Sequence, residues 1–283
     1  MEIQIGKRYF GFFFSNRGLQ YNCLDWLRNF ERQYFCTSHQ YYCIFYSSNN
    51  ALDEVEVYGE VIVMKISTWN IERLKKKKHL PEILSEIEKI NADILVLTET
   101  DSHISPTHYP FKIETKPLIL IDKKANSTEN RVSIFSKFPI METFETYDEF
   151  TSCLAEIETP FGNLFVYGTI VGVLGNRNEQ FIPDLKNQMN DLQKLSEKNI
   201  CFIGDLNCTF LDNYYFTNEG RTLFDKNFKA LNLKNITAEI PENIDHIVIS
   251  GKFVERFKIE LSEFNLDKKL SDHKGIIAEF IPI

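Results

Sequence analysis

Long apolar runs, a basic surplus and the glycine signatures of nucleotide-binding loops are all missing from this 283-residue chain. No hydrophobic stretch approaches the ~18 residues that span a bilayer. The aromatic stretch Tyr9–Phe14 is too short for a signal-peptide core, and no small-residue cleavage pattern follows it. A cytoplasmic protein with no membrane contact is therefore expected. Lys and Arg number 32 against 40 Asp and Glu, a net charge of -8. That balance argues against a protein that coats duplex nucleic acid with a broad basic field. It leaves room for an enzyme that grips phosphate locally, with metal ions supplying the positive charge. Gly-x-Ser-x-Gly, a P-loop and Gly-x-Gly-x-x-Gly are absent, so other nucleophile and nucleotide chemistries find no support. The six cysteines are dilute and are expected to stay as thiols.

What is present is ordinary globular material: 43% hydrophobic and 25% charged residues, enough for a full core. At about 150 residues per domain, the length allows two domains or one large α/β domain. The chain divides into two unequal parts, with no repeats and no linker rich in Gly, Ser or Pro between them. Residues 1–63 are crowded with Tyr, Phe, Asn and Cys and show no long periodic segment. From Met64 the pattern becomes orderly. Lys65–Trp69 and the wholly apolar Ile94–Leu97 read as strands. Further strands are expected at 118–121, 131–136, 153–158, 164–169, 200–204, 245–249, 256–261 and 276–281. Leu80, Ile83, Leu84, Ile87 and Ile90 repeat with helical spacing, and Pro81 suits the first turn. A second helix is expected from about Glu179 to Glu197, with Phe181, Leu185, Met189, Leu192 and Leu195 along one stripe. Strands in both hairpin and crossover spacing predict an α/β protein of the α+β type, with mixed β-sheets flanked by helices.

The polar residues fall where strands end. Asn70 follows the first strand; Thr98 and Glu99 follow Ile94–Leu97. Asp205, Leu206 and Asn207 follow Ile200–Gly204, Asp245 begins another strand, and Ser271, Asp272 and His273 precede the last. Loops at strand ends are where sheet proteins assemble sites. Oxygen ligands such as Glu99, Asp205 and Asp272, with carboxamides beside them, suit a hard cation, Mg²⁺ or Mn²⁺. A carboxylate on a rigid strand can activate water, and an imidazolium can stabilise developing phosphoryl charge. Together these groups describe phosphate ester hydrolysis. Alternation sends Asp245 and His246 to opposite faces, so only one of them can enter the site.

The ordered set Thr68-Trp69-Asn70, Leu97-Thr98-Glu99, Gly204-Asp205-Leu206-Asn207, Ile244-Asp245-His246-Ile247 and Ser271-Asp272-His273 resembles the endonuclease/exonuclease/phosphatase superfamily. Arg131-Val132-Ser133-Ile134-Phe135-Ser136-Lys137-Phe138-Pro139-Ile140 is similar to its central strand. Each motif alone is weak; the ordered set is specific. The likeness covers residues 64–283 and implies a four-layer sandwich of two packed mixed sheets. It implies Glu99 as main metal ligand, with Asn70 beside it and Asp272 assisting. Asp205 would activate the attacking water, Asn207 would orient it and the phosphate, and His273, held by Asp245, would stabilise the transition state. Most relatives place a Tyr or His that contacts the phosphate where this chain has Thr169 after Leu164–Tyr167; the Thr169 hydroxyl is expected to donate to a phosphate oxygen with shorter reach and no charge, and Arg177 or Arg131 to supply the missing contact. The implied function is a Mg²⁺-dependent phosphodiesterase, a nuclease with nucleic acid as partner. The alternatives are a phosphatase of inositol phosphates, nucleotides or other small phosphoesters, and a non-catalytic binding module on the same scaffold.

Other features read more plainly. Arg73 and Lys75–Lys78 form a solvated charge run beside the Asn70 loop, although a nucleic-acid backbone is a competing partner. His103 and His108 are expected at the surface, and His246 on the non-catalytic face of its strand. Cys23, Cys36, His39 and Cys43 make a loose zinc-like set without paired knuckles, and read as thiols. Cys201 and Cys208 read as packing residues. Chains resembling this one commonly begin near Met64-Lys65-Ile66, so residues 1–63 are expected to be an extension outside the functional unit.

Overall fold

The computed structural model describes residues 62–283 throughout and, before them, the backbone of four strands, β1 (Glu2–Ile5), β2 (Arg8–Gly11), β3 (Phe30–Thr37) and β4 (Gln40–Ser47). β1 pairs with β2 and β3 with β4, both antiparallel. The chain splits into two units, Met1–Ile62 and Val63–Ile283. The Cys23, Cys36, His39 and Cys43 set lies outside the described side chains.

In the second unit alternation and helical periodicity each do what elementary packing requires. One six-stranded mixed sheet has the order β15 (Phe257–Phe264), β16 (Gly275–Pro282), β5 (Met64–Asn70), β6 (Ile94–Asp101), β8 (Glu129–Ser136) and β7 (Phe111–Glu114). The other runs β13 (Leu233–Asn235), β14 (Asp245–Ser250), β12 (Ile200–Asp205), β11 (Gly162–Ile170), β10 (Ser152–Thr159) and β9 (Ile140–Phe144). Within each sheet one pair is parallel, β5 with β6 and β11 with β12, and the remaining pairs are antiparallel.

Successive side chains along a strand point to opposite faces. Ile66, Val96, Val132 and Ile134 of one sheet therefore meet Val166, Cys201, Ile203 and Ile247 of the other in a dry central layer. The opposite faces are covered by helices. α1 (Leu80–Ile90) lays Ile83 and Ile87 against Trp69, Leu95 and Leu97. α2 (Phe181–Lys194) and α3 (Asn218–Ala230) bury Phe181, Leu185, Met189, Phe224 and Phe228 against Phe165, Tyr167 and Phe202. Helix, sheet, sheet, helix is the four-layer α+β sandwich.

Three local expectations need correction. Residues 118–121 are not a strand: Leu118–Leu120 is a single 3-10 turn after Pro117, with Leu118 buried and Leu120 and Ile121 exposed. An apolar run of four carries no periodicity to tell the two apart. The second helix is shorter than 179–197, ending at Lys194. α3 has no counterpart in the expectations, because it buries only Gly220, Phe224 and Phe228 and its remaining surface is polar.

Candidate active site

The ends of β5, β6, β12 and β14 and the loop before β16 converge on one rim. Asp205 is the centre. It lies on the face of β12 that also carries Cys201 and Ile203, pointing between the sheets, and is buried. Asn207 N donates to its Oδ1 at 2.9 Å, and Asn70 Nδ2 donates to its Oδ2 at 3.1 Å. Asn70 Nδ2 also stands 3.5 Å from Glu99 Oε1, while Asn70 Oδ1 accepts from Glu72 N at 2.9 Å. One carboxamide thus ties two carboxylates together across 135 and 29 residues of sequence.

His273 and Asp245 form the second half of the site. His273 Nδ1 is 2.6 Å from Asp245 Oδ2. The loop holding it is stitched to β5: Ser271 Oγ donates to the Asn70 carbonyl at 2.6 Å, and Trp69 Nε1 donates to the His273 carbonyl at 3.1 Å. This gives the Ser of Ser-Asp-His a physical task that the sequence did not disclose. His246, one residue on, turns to the helix side, where Nε2 meets the Cys208 carbonyl at 3.0 Å and Nδ1 meets Thr237 Oγ1 at 2.9 Å. Burial pushes its pKa down to about 4, so it is a neutral packing residue.

Charge is the unusual feature. Burial, the neighbouring Asp245 carboxylate and, more weakly, Glu99 push Asp205 up to about 7, against the opposing pull of His273 and the Asn207 N–H. For His273, burial works to lower the pKa, but the charge and hydrogen bond of Asp245, with help from Asp205 and Asp272, hold it up to about 10. Asp245 Oδ1 is buried and has no hydrogen-bond partner among the described residues. Asp205, Asp245 and His273 offer ligand atoms all within 4.8 Å of one another. Because His273 Nδ1 and Asp245 Oδ2 are already committed to each other, the tight trio is better described as an oriented imidazolium than as a three-ligand metal cage. The wider set of hard oxygens, Glu99, Asp205 and the orphan Asp245 Oδ1, is short of positive charge. It fits a hard divalent cation.

Backbone strain accompanies the chemistry. Glu99 has φ 44 and Asn207 φ 50, both in the left-handed region, a costly conformation for Glu99 and an easier one for Asn207. Glu72, Arg73 and Leu74 continue that conformation in the turn after Asn70, with φ of 54, 52 and 53, and bring Arg73 Nε to 3.3 Å from Glu99 Oε2. Gly204 explains the first letter of Gly-Asp-x-Asn. Its φ is +136, and a Cβ there would lie 2.1 Å from the Thr169 carbonyl oxygen, so only glycine lets β12 and β11 approach.

Among the other expected residues, Asp272 stands at the mouth, 58% exposed, with Oδ1 3.8 Å from His273 Nε2. Thr169 departs from expectation. It lies on the helix face of β11 with Phe165 and Tyr167, is fully buried, and its Oγ1 donates to Gln188 Oε1 at 2.7 Å. A hydroxyl so used has no reach to a phosphate in the cleft. Arg177 is exposed on the loop after β11. Arg131 lies on β8 opposite Glu99, between the paired Thr98/Val132 and Thr100/Asn130. Asn207 Nδ2 donates to the carbonyls of Val171 at 3.0 Å and Gly172 at 3.3 Å, leaving its oxygen free of those bonds. Sequence reasoning missed the positioning roles of Arg73, Ser271 and Gln188; the Ser inside the Ser-Asp-His motif was the one available signal.

A four-layer sandwich with carboxylates, carboxamides and an Asp–His pair at one rim defines a phosphoesterase-type scaffold. The sequence profile of the Endonuclease/Exonuclease/phosphatase family matches residues 67–273, and the chain belongs to that family. Similar solved structures include an AP endonuclease from Archaeoglobus fulgidus, at TM-score 0.59 and 16% identity, covering 77% of this chain and 99% of that one. A 3′ phosphatase, NExo, from Neisseria bound to a product DNA hairpin has TM-score 0.57 and 16% identity, covering 77% and 99%. An endonuclease/exonuclease/phosphatase from Beutenbergia cavernae has TM-score 0.58 and 16% identity, covering 78% and 72%. At these identities the likeness is one of fold. No curated protein sequence matches the chain. No helix among the described residues is long and apolar enough to cross a membrane.

Proposed function

We propose that this protein is a Mg²⁺-dependent phosphodiester hydrolase acting on nucleic acid, with Mn²⁺ able to substitute. The observation that carries the reading is one buried constellation: the Asp205 carboxylate, fixed by Asn207 N and Asn70 Nδ2, beside a His273–Asp245 pair at 2.6 Å, the three with ligand atoms within 4.8 Å of one another. Asp205 takes the proton from the attacking water as its oxygen bonds to phosphorus, and the ester P–O bond on the far side breaks. Asn207 and Asn70 fix the Asp205 carboxylate and the approach of the phosphate. His273 stays protonated through Asp245 and faces the charge that develops on the phosphoryl oxygens. Glu99, with Asn70 beside it and Asp272 at the mouth, would hold the ion, which supplies Lewis-acid stabilisation of the phosphoryl and leaving oxygens when bound.

A phosphatase of small phosphoesters is the second reading; it is favoured by the net charge of -8, which does nothing to attract a long polyanion. A non-catalytic scaffold is disfavoured, because a binding module gains nothing from keeping Asp205 and Asp245 in mutual repulsion. Incubation with Mg²⁺ or Mn²⁺ against single-stranded and duplex DNA, RNA, abasic duplex and a panel of phosphomonoesters separates these. Diester cleavage lost in both Asp205→Ala and His273→Ala is the expected result. Activity surviving in both variants sinks the assigned roles, and cleavage of monoesters alone replaces the nuclease by a phosphatase.

The functional unit in this reading is residues 64–283, in a cytoplasmic protein whose described cysteines, Cys153, Cys201 and Cys208, are buried and free. β5 lies inside its sheet between β16 and β6, so both of its edges are paired within that unit. A chain starting at Met64 is expected to stay soluble, melt within about 3 °C of the full chain and keep its turnover. Insolubility, or loss of turnover from a folded product, would assign residues 1–63 to the functional unit.

A further inference from the structure

Arg131 is the strongest feature that the reading above leaves without a task. Its strand position puts it directly across from Glu99. Yet Glu99 takes its cation from Arg73, whose Nε is 3.3 Å from its Oε2. No carboxylate among the described residues comes within ion-pair distance of the Arg131 guanidinium, and its Nε is buried without a hydrogen-bond partner. A buried donor on a permanent cation is costly to leave unmet. Burial works to lower the Arg131 pKa, against the fields of Asp148, Glu99 and Asp184; a guanidinium stays charged through the physiological range all the same.

Its place in the cleft decides what it waits for. Along the sheet the order is β16, β5, β6, β8. His273 precedes β16 and Arg131 sits on β8, three strand spacings away, about 14 Å at ~4.8 Å per strand. Between them the rim carries Asn70 at the end of β5 and Glu99 in β6, with Asp205 at the end of β12 in the facing sheet. On the Arg131 side Thr169 has withdrawn its hydroxyl to Gln188, so Arg131 is the cation at that end of the rim that has a buried, unmet donor. A guanidinium fork matches two oxygens of one phosphate.

We propose that Arg131 is a specificity-determining residue that binds a second, non-scissile phosphate of a polynucleotide strand, at the end of the cleft remote from His273. The proposal rests on the nuclease reading and narrows it to substrates that carry a phosphate next to the one cleaved.

The test compares dTpdT, whose single phosphate is the scissile one, with dTpdTpdT, in the wild type, Arg131→Gln and Arg131→Lys. The wild type is expected to prefer the trinucleotide in kcat/KM. Arg131→Gln should shrink that preference at least 10-fold, through KM, and Arg131→Lys should restore part of it by charge without the fork. Equilibrium binding of fluorescein-labelled dTpdTpdT and dTpdT in EDTA supplies a reading independent of turnover, with the same loss of preference expected. An unchanged ratio in both assays overturns the proposal. So does an unchanged ratio with a lowered melting temperature, which would make Arg131 a tether for the Asp148 loop. If neither substrate is cleaved while the binding preference still depends on Arg131, the nuclease reading fails and the phosphate site stands.

Discussion

Replacing Asp205 by Asn is expected to cut turnover by about 10³-fold and, in EDTA, to make the protein more stable. The first effect follows from removing the group that accepts the proton of water, a contribution of 10²–10⁴ where a positioned base is lost. The second follows from the direction of the pKa shift. The folded-state value, about 7, lies above the ordinary carboxylate value of 3.8. Protonation is thus favoured by folding: the associated stability is complete below about pH 4 and is lost as pH rises through about 7. At pH 8 the ionised carboxylate is buried beside Asp245 and Glu99, a penalty of a few kcal/mol. Asn keeps the Asn207 N–H contact and removes the charge, though it loses the bond from Asn70 Nδ2, worth about 1 kcal/mol. A net gain of about 2 kcal/mol, or about 5 °C in melting temperature, is expected at pH 8, shrinking towards pH 5. Calorimetry at the two pH values reads it directly. A destabilised variant at pH 8 would show that Asp205 is not held under repulsion, and an active one would remove it from the base role.

The second large effect belongs to Asp245. With Asp205 at about 7 and His273 at about 10, kcat/KM should rise through about pH 7 and fall near pH 10, each limb reporting the coupled cluster. Asp245→Asn keeps an oxygen to accept from His273 Nδ1 but withdraws the charge that keeps the imidazole positive. Burial then lowers the His273 pKa with only Asp205 and Asp272 opposing it. The alkaline limb is expected to move down by at least two pH units, and Asp205, freed from its neighbour's charge, to ionise at lower pH. Maximal turnover should fall about 10²-fold or more. An alkaline limb still near pH 10 in Asp245→Asn would mean that the imidazolium does not depend on Asp245. A pH series of kcat/KM for the two proteins is sufficient.

Much of the site was legible because the chemistry sits at the ends of apolar strands. Period-2 alternation separates Asp245 from His246, and the structure sends His246 to a neutral, fully bonded pocket. Glu99 was legible as a residue type but not as a geometry. Leu95 and Leu97 face α1, so strict alternation would turn Glu99 that way as well; a left-handed backbone at Glu99 and the Asn70 carboxamide bring it to the cleft instead. Thr169 was misjudged for the complementary reason. Its partner, Gln188, lies 19 residues away on a helix whose docking angle no strand pattern carries.

By itself the sequence determined two of the helices and most of the strands from Met64 onward, and the ordered polar residues that mark the family, since all of these are set by local period and composition. Only the tertiary structure decided which carboxylates share a pocket, that burial and a neighbouring charge raise the pKa of one while an imidazole is held positive, and that Arg131 Nε is left without a partner among the described residues. Those properties are differences in burial and in charge-to-charge distance. They exist only when β5, β6, β8, β12 and β14, up to some 175 residues apart in the chain, end at the same rim.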